Sequence, residues 1–387
     1  MATCTFADLP NDVLIMIITQ LKTISDTTHD LSSCLKVNRR WRDATIPLLY
    51  GNIAFTRDNV SRFCDNLNVE RYATCIRSIT VKLEPGSVEA EIWYLARLLP
   101  QCTNLRSFSF CLRKEPRIAV PHLALVQLVE AKPLSCTNLE LDTLGYDIRT
   151  GYDLQSKKDT PHLCTSLRAI LPRMEHVRLR LRICAAVFSD DTRSVQLPKL
   201  KTLIVVCSCP YRQELPTCHI TYLKPYYGIK FKLWPSIAAS LTSLLATPLA
   251  VPADARVLAL TDTNFAYNDL SLWPAYVLAN FGAKKSDVIP FRHIWETGST
   301  PESYVICLPH GTEMMGDPMD LEALAEGPLW CEVRGGARLP AAVLADARAE
   351  RPSFAQGCIE AGTRHLKTSA EWRIENPEHL MSTWHNE

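Results

Sequence analysis

Hydrophobic and polar positions alternate differently in three parts of this chain. In the first fifty residues short apolar segments crowd together: Val13-Leu14-Ile15-Met16-Ile17-Ile18 with Leu21, then Leu31, Cys34 and Leu35, then Val37, Trp41 and Leu48-Leu49-Tyr50. The first segment is apolar almost all the way round a helix, a pattern that belongs either deep in a core or against another protein. At the start of a chain, docking is the better expectation. Leu9-Pro10 opens this helix, since proline is tolerated in a first turn, and Asp12 suits the positive end of the dipole. The helix is expected to reach Leu21, with a polar linker over residues 22–30 behind it. Leu31, Cys34 and Leu35 then form the apolar face of a second helix. Val37 and Trp41 stand one turn apart on a third, with Arg39, Arg40 and Arg42 on its other face and Pro47 limiting it.

From residue 70 the pattern becomes that of alternating strands and helices. Ile76-x-x-Ile79-x-Val81 is followed by Leu105-x-x-Phe108-x-Phe110, Cys136-x-x-Leu139-x-Leu141, Met174-x-x-Val177-x-Leu179 and Leu200-x-x-Leu203-x-Val205. Helical patterns lie between them at Glu89 to Leu99, His122 to Glu130 and Leu163 to Leu171. Pro100, Pro133, Pro172 and Pro198 stop a helix from continuing into the next strand. A strand followed by a helix, repeated every 25 to 40 residues, buries each unit only against its neighbours and predicts a solenoid. Ala255-x-x-Leu258-x-Leu260, behind the helix-like Ser236 to Ala246, is a candidate sixth unit, and it requires a large insertion before it.

Past residue 250 the pattern changes again. Val257 to Thr261 reads as a strand, and Leu272 to Phe281 as a helix beginning near Pro274. Val288 to Trp295 and Tyr304 to Leu308 read as two strands joined by the Gly/Ser/Thr/Pro cluster of residues 296–303. Met319 to Gly327 and Pro340 to Glu350 suggest helices separated by Gly335-Gly336. Trp372 and Trp384 sit in a polar tail. The two strands are candidates to close the open end of the array, which solenoids need for solubility.

The N-terminal segments resemble the F-box. That family's pattern is a Leu-Pro opening, an aliphatic helix, a hydrophobic segment ending in Val-x-x-x-Trp and a closing Leu-Tyr. Leu9-Pro10, Leu14, Ile17, Ile18, Leu21, Leu31, Cys34, Leu35, Val37, Trp41 and Leu48-Leu49-Tyr50 match it in order. The IPLLYGNI ending is similar to fungal versions. The departure is the linker between the first two helices, longer than usual and without the common proline. The resemblance implies a three-helix unit over residues 5–55 that binds a Skp-family adaptor, and through it a cullin scaffold and a RING ubiquitin ligase. The implied adaptor-binding residues are Leu9, Pro10, Leu14, Ile17, Ile18, Leu21, Leu31, Val37, Trp41 and Leu49, with the basic flank meeting an acidic partner. A three-helix cap sealing the next domain is the plainer alternative.

The five-fold template is similar to a leucine-rich repeat, over residues 70–262. The family's Asn or Cys position is taken by Glu84, Arg113, Leu144, Arg182 and Ser208, so the repeats are degenerate. The expected architecture is thus α+β and α/β: a three-helix F-box, a curved leucine-rich-repeat-like array of parallel strands and helices, and an α+β region at 263–387. Between the aliphatics, two columns face outward: Thr80, Ser109, Glu140, Arg178, Ile204 and Lys82, Cys111, Asp142, Arg180, Val206. Arg178, Arg180 and Arg182 alternate with aliphatics at the period of a strand with one wet face. They are candidates to grip a phosphate or carboxylate of a client. The alternative is a ladder in which Glu140 and Asp142 neutralise Arg178 and Arg180 from the next strand. Arg182, opposite Leu144, is then the least neutralised of the three.

Composition narrows the partners. The chain has 387 residues, enough for two or three domains. A net charge of +1 gives no bulk attraction to nucleic acid or anionic membrane. No stretch reaches the roughly 20 apolar residues of a membrane span, and the first apolar run lacks the basic flank of a signal peptide. The 15 cysteines are scattered, which suits reduced thiols in the cytoplasm or nucleus. Cys207, Cys209 and Cys218-His219 do not match zinc spacing. No phosphate loop or nucleophile elbow occurs, and His293 and His310 have no matched nucleophile. The expectation is a non-catalytic substrate receptor of an SCF-type ligase, without cofactor or metal. The rival expectations are an enzyme in the C-terminal third with the F-box as a targeting module, and an F-box protein acting with its adaptor outside a ligase.

Overall fold

The computed structural model describes residues 9–24, 29–83, 89–112, 120–148, 162–181, 187–188, 195–207, 233–262, 275–294, 303–307, 313–316, 329–333, 335–344 and 367–368. Three helices come first, α1 (Asn11–Ile24), α2 (His29–Cys34) and α3 (Arg39–Tyr50). α1 continues a turn beyond Leu21, where the Lys22 ammonium reaches across to donate to the Leu48 carbonyl at 2.6 Å. Val37 lies ahead of α3 rather than on it. Asn38 is the cap, extended at φ −163, with its side-chain oxygen accepting from the Trp41 amide at 3.0 Å. Pro47 does not limit α3 but sits inside it. The backbone bond that it forgoes falls on the solvent side, where both Asp43 and Pro47 are exposed.

Gly51 hands α3 directly to the sheet. A Cβ built there would lie 2.6 Å from the Pro47 carbonyl oxygen, so the turn closes only around glycine. Strand β1 (Asn52–Thr56) follows at once and pairs in parallel with β2 (Ser78–Leu83). The sheet therefore takes in residues well ahead of residue 70, where the repeat pattern becomes visible. Successive strands then add in parallel and in chain order: β3 (Ser107–Leu112), β5 (Asn138–Asp142), β7 (His176–Arg180), β8 (Thr202–Val206) and β9 (Arg256–Asp262). A short parallel pair, β4 (Val120–Pro121) and β6 (Asp147–Ile148), stands apart from this sheet.

A single local geometry recurs at the entrance of these strands. The Gly51 carbonyl accepts from the amides of Arg77 and Ser78, Arg77 from Arg106 and Ser107, Arg106 from Thr137 and Asn138, Thr137 from Glu175 and His176, and Glu175 from Lys201 and Thr202. Just before each rung, Ile76, Leu105, Cys136, Met174, Leu200 and Ala255 close a turn by donating to the carbonyl three residues back. These are the first positions of the sequence template, the candidate sixth unit included, and all six are buried.

The intervening helices are α4 (Arg57–Asn66), the short α5 (Val69–Tyr72), α6 (Glu89–Leu98), α7 (His122–Glu130), α8 (Leu163–Ile170) and α9 (Leu233–Ala246). The last four coincide with the expected helices, whereas α4 and α5 lie ahead of the repeat pattern and were not expected. One continuous core joins them to one face of the sheet. Val60, Ile92, Leu95, Leu125, Leu128, Leu163, Leu167, Ile237 and Leu241 meet Ile79, Val81, Phe108, Phe110, Leu139, Leu141, Val177, Leu179, Leu203, Val205 and Val257.

Beyond β9 the sheet turns antiparallel, through β10 (Ala275–Asn280), β11 (Lys285–Ile294), β12 (Ser303–Cys307), β13 (Glu313–Gly316) and β16 (Lys367–Thr368). The helix expected over Leu272 to Phe281 is thus strand β10. Val277 and Ala279 are buried while Leu278 and Asn280 are half-buried, the two-residue period of a strand pinned between β9 and β11. The two strands expected at Val288–Trp295 and Tyr304–Leu308 are β11 and β12, and they extend the sheet edge. Residues 341–344 are helical. The rest of the helix expected to Glu350, the helix at 319–327, and Trp372 and Trp384 lie outside the described residues. A separate hairpin, β14 (Trp330–Glu332) and β15 (Arg338–Pro340), completes the set.

One buried cation stands out in the helical layer. Lys132, in the turn after α7, is 4 % exposed, and its ammonium has no hydrogen-bond partner among the described residues. Burial lowers its pKa to about 8, and the neighbouring Arg173 adds to the effect. Below pH 8 the folded protein carries this desolvated charge. Between pH 8 and 10.5 the unfolded chain holds more protons than the folded one, so stability rises with pH through that window. The penalty at pH 7 is on the order of 3 kcal/mol, at about 1.4 kcal/mol per pKa unit. Lys132→Met is expected to raise urea-unfolding stability by about 2 kcal/mol at pH 7 and by much less at pH 10. A gain that is the same at both pH values would contradict this account.

Candidate functional site

Two places gather the residues singled out by the sequence. The first is the helical unit. Leu14 and Ile18, four residues apart, point into it at 1 % and 0 % exposure and meet Leu31, with Trp41, Ala44, Leu48 and Leu49 packed around them. Arg40 fastens the start of α1 to α3 by donating to the Leu9 carbonyl and, at 2.7 Å, to the Asn11 side chain. Lys22 fastens its other end. The unit is in turn fixed to the sheet: Tyr50 stacks on Tyr72 with ring centroids 4.7 Å apart and planes within 6°.

This geometry corrects the list of docking residues. Leu14, Ile18 and Leu31 form the unit's own core and have no surface to offer a partner. Leu21, Trp41 and Leu49 are half-buried, Trp41 and Leu49 against that core. Leu9 is half-buried and Pro10 exposed. Of the remaining positions, Ile17 is 38 % and Val37 58 % exposed, and two residues that the motif reading passed over join them, Ile15 at 46 % and Met16 at 56 %. At 100° per residue, Ile15 and Ile17 flank the inward stripe and Met16 stands opposite it. The missed signal was the all-round greasiness itself: a stripe of Leu14 and Ile18 is enough for a core, so the residues between them are surplus. Arg39 and Arg42 are exposed on α3.

The second place is the sheet face turned away from the helices. Its columns stand in the predicted register: Thr80, Ser109, Glu140 and Arg178 are successive neighbours, and so are Lys82, Cys111, Asp142 and Arg180. The expected wet face is buried, however, and Arg178 and Arg180 are each 3 % exposed. Arg178 donates to Asp142 at 2.5 Å and to Glu140 at 3.4 Å, while Arg180 lies 3.5 Å from Asp142. Both arginines are held in a ladder within the sheet and are not open to a client. Arg182 lies outside the described residues.

The cover comes from far along the chain. The hairpin β14–β15 lies on this face, where the Arg338 guanidinium clasps the Glu140 carboxylate with two bonds of 2.7 and 2.8 Å. The Arg338 amide donates to the Thr80 hydroxyl at 2.7 Å. Glu332, the cross-strand neighbour of Arg338, pairs with Lys82. Gly336, at φ +83, brings the hairpin turn within 3.4 Å of Ala54 and of the Lys82 ammonium, measured from where its Cβ would be. Burial alone would raise the pKa of Glu140. The guanidiniums of Arg338 and Arg178, with the Ser109 hydroxyl donating to the same carboxylate, outweigh burial and hold it at about 2.

Of the zinc candidates, Cys207 is buried and in no disulfide, and Cys209, Cys218 and His219 lie outside the described residues. Among the described residues no group of three His, Cys, Asp or Glu could hold a metal ion, and no helix is long and apolar enough to cross a membrane.

Comparison with known proteins bears on the helical unit. No curated protein matches the chain. Residues 6–56 match the family model described as F-box-like, a span that takes in α1, α2, α3 and β1. The three-helix unit with its surplus of exposed aliphatics and the family match coincide, so residues 6–56 form an F-box-like domain.

Proposed function

We propose that this protein is the substrate-receptor subunit of an SCF-type cullin–RING ubiquitin ligase. F-box domains as a class bind Skp-family adaptors, and the observation that carries the reading here is the uncovered aliphatic surface of α1. Ile15, Met16 and Ile17 remain exposed after Leu14 and Ile18 have filled the unit's core. Helix-in-groove recognition needs such anchors, and the exposed Arg39 and Arg42 suit an acidic partner.

Behind the F-box, the recurring template and the repeated carbonyl rung support reading β1 to β9 as a degenerate leucine-rich-like solenoid, with residues 263–387 as its closing region. It holds a client at a fixed distance from the adaptor. The chain transfers nothing itself, and the ligase gains its rate from the raised effective concentration of the client. This work belongs to the cytoplasm or nucleus. Mixing the purified chain with a Skp-family adaptor and then a cullin tests the reading by size-exclusion chromatography. A ternary assembly supports it. An adaptor complex that excludes the cullin places the protein outside a ligase, and failure to bind any adaptor overturns both.

A further inference from the structure

The helix-free face of the sheet is occupied by a segment of the chain itself, and the chemistry of that contact differs from the rest of the fold. The main core contains no residue of the hairpin. The hairpin's apolar side chains, Cys331, Val333, Ala337 and Leu339, form their own small cluster with Leu344. Among the described residues, charge and hydrogen bonds join hairpin to sheet: Arg338 on Glu140, Glu332 on Lys82, and the Arg338 backbone on Thr80. Buried ion pairs of this kind contribute little net free energy, because desolvation offsets most of the attraction.

The receiving site is held in part from within the sheet. Ser109 on β3 and Arg178 on β7 orient the Glu140 carboxylate from within the sheet, and Asp142 holds Arg178 in turn. The site is thus a rigid, pre-oriented carboxylate on a strand ladder, with a lysine two positions along its neighbouring column. Its ligand presents a guanidinium and, on the facing strand, a carboxylate.

We propose that this face is the client-recognition surface, that it takes an arginine-bearing segment with an acidic residue across from the arginine, and that β14–β15 is an internal ligand which such a segment displaces. The word client rests on the receptor reading above; the displacement itself does not. A tethered segment competes at an effective concentration around the millimolar range, so the free chain holds the face shut against weak or non-specific partners. A cognate segment opens it by reproducing both ion pairs.

The test uses the full chain alone and a fluorescein-labelled synthetic peptide of residues 328–342, with fluorescence anisotropy as the readout. Arg338→Ala in the protein is expected to bind the peptide at least about tenfold more tightly than wild type, because its own hairpin no longer competes. The peptide carrying Arg338→Ala is expected to lose that binding. A folded Arg338→Ala protein that binds no better than wild type, or that does not distinguish the two peptides, overturns the proposal. If Arg338→Ala does not fold, Glu332→Lys, which loosens the half-exposed pair with Lys82, decides by the same criterion: a gain in peptide binding supports displacement and no gain overturns it. Neither adaptor nor cullin is present, so a failure here leaves adaptor binding untouched, and a failure of adaptor binding leaves this result standing.

Discussion

Glu140→Ala is expected to destabilise the protein by about 3–5 kcal/mol, the usual cost of removing one partner from a buried charge cluster. Glu140 is fully buried and takes bonds from Ser109, Arg178 and Arg338. Its loss removes the carboxylate between Arg178 and Arg338 and leaves the two guanidiniums to repel one another in a buried site. For a domain whose whole margin is about 5–15 kcal/mol, this is a large fraction. The same residue sets an acid limit. Its folded pKa of about 2 lies below the ordinary 4.5, so its contribution is complete above pH 4.5 and is lost as pH falls toward 2. Urea unfolding at pH 7 and pH 3 checks both statements: wild type loses stability on acidification, and Glu140→Ala loses less over the same interval. A Glu140→Ala protein as stable as wild type at pH 7 would show that the cluster is solvated in solution.

The strand ladder was legible because its signal is local. Ile79-x-Val81, Phe108-x-Phe110 and their successors alternate at the strand period, and a shared template sets Glu140 beside Arg178 and Asp142 beside Arg180, which is the register found. The cover over that ladder was not legible. Arg338 lies 198 residues from Glu140 along the chain, and nothing in GGARLP announces a tertiary partner, so the outward columns read as a wet face. In β10 the run Ala275-Tyr276-Val277-Leu278-Ala279-Asn280 is short and apolar enough for either helix or strand. Pairing with β9 on one side and β11 on the other decides it. In α1 the difficulty is different again. Six consecutive apolar residues define no face, and only the positions of α2 and α3 select Leu14 and Ile18 as the inward pair.

The protein thus presents two surfaces with opposite chemistry rather than a row of open arginines. The F-box end offers the exposed aliphatic side chains of Ile15, Met16 and Ile17. The sheet end offers a charged ladder that the chain covers itself. Tyr50 on Tyr72 and the Gly51 carbonyl on Arg77 and Ser78 tie the two ends into one body. The receptor role proposed above needs that stiffness, because the distance between adaptor and client would set the effective concentration at the site of transfer.

Ile17→Asp is expected to weaken binding of a Skp-family adaptor by about 100-fold or more while leaving the fold intact. Ile17 is 38 % exposed and stands on the flank of α1, so a carboxylate there meets water in the free protein. In a helix-in-groove complex it would be buried without a partner, and anchors at the centre of an interface cost about 2–4 kcal/mol when lost. The comparison that gives the result its meaning is Ile18→Asp, one position along. Ile18 is fully buried against Leu14 and Leu31, so that change unfolds the unit and abolishes binding together with the helix's circular dichroism and thermal transition. Isothermal titration against purified adaptor, run beside thermal denaturation, separates the two: Ile17→Asp keeps its melting temperature and loses affinity, Ile18→Asp loses both. An Ile17→Asp protein that binds as tightly as wild type would remove this flank of α1 from the interface and leave Met16 and Val37, on other faces of the unit, to carry it.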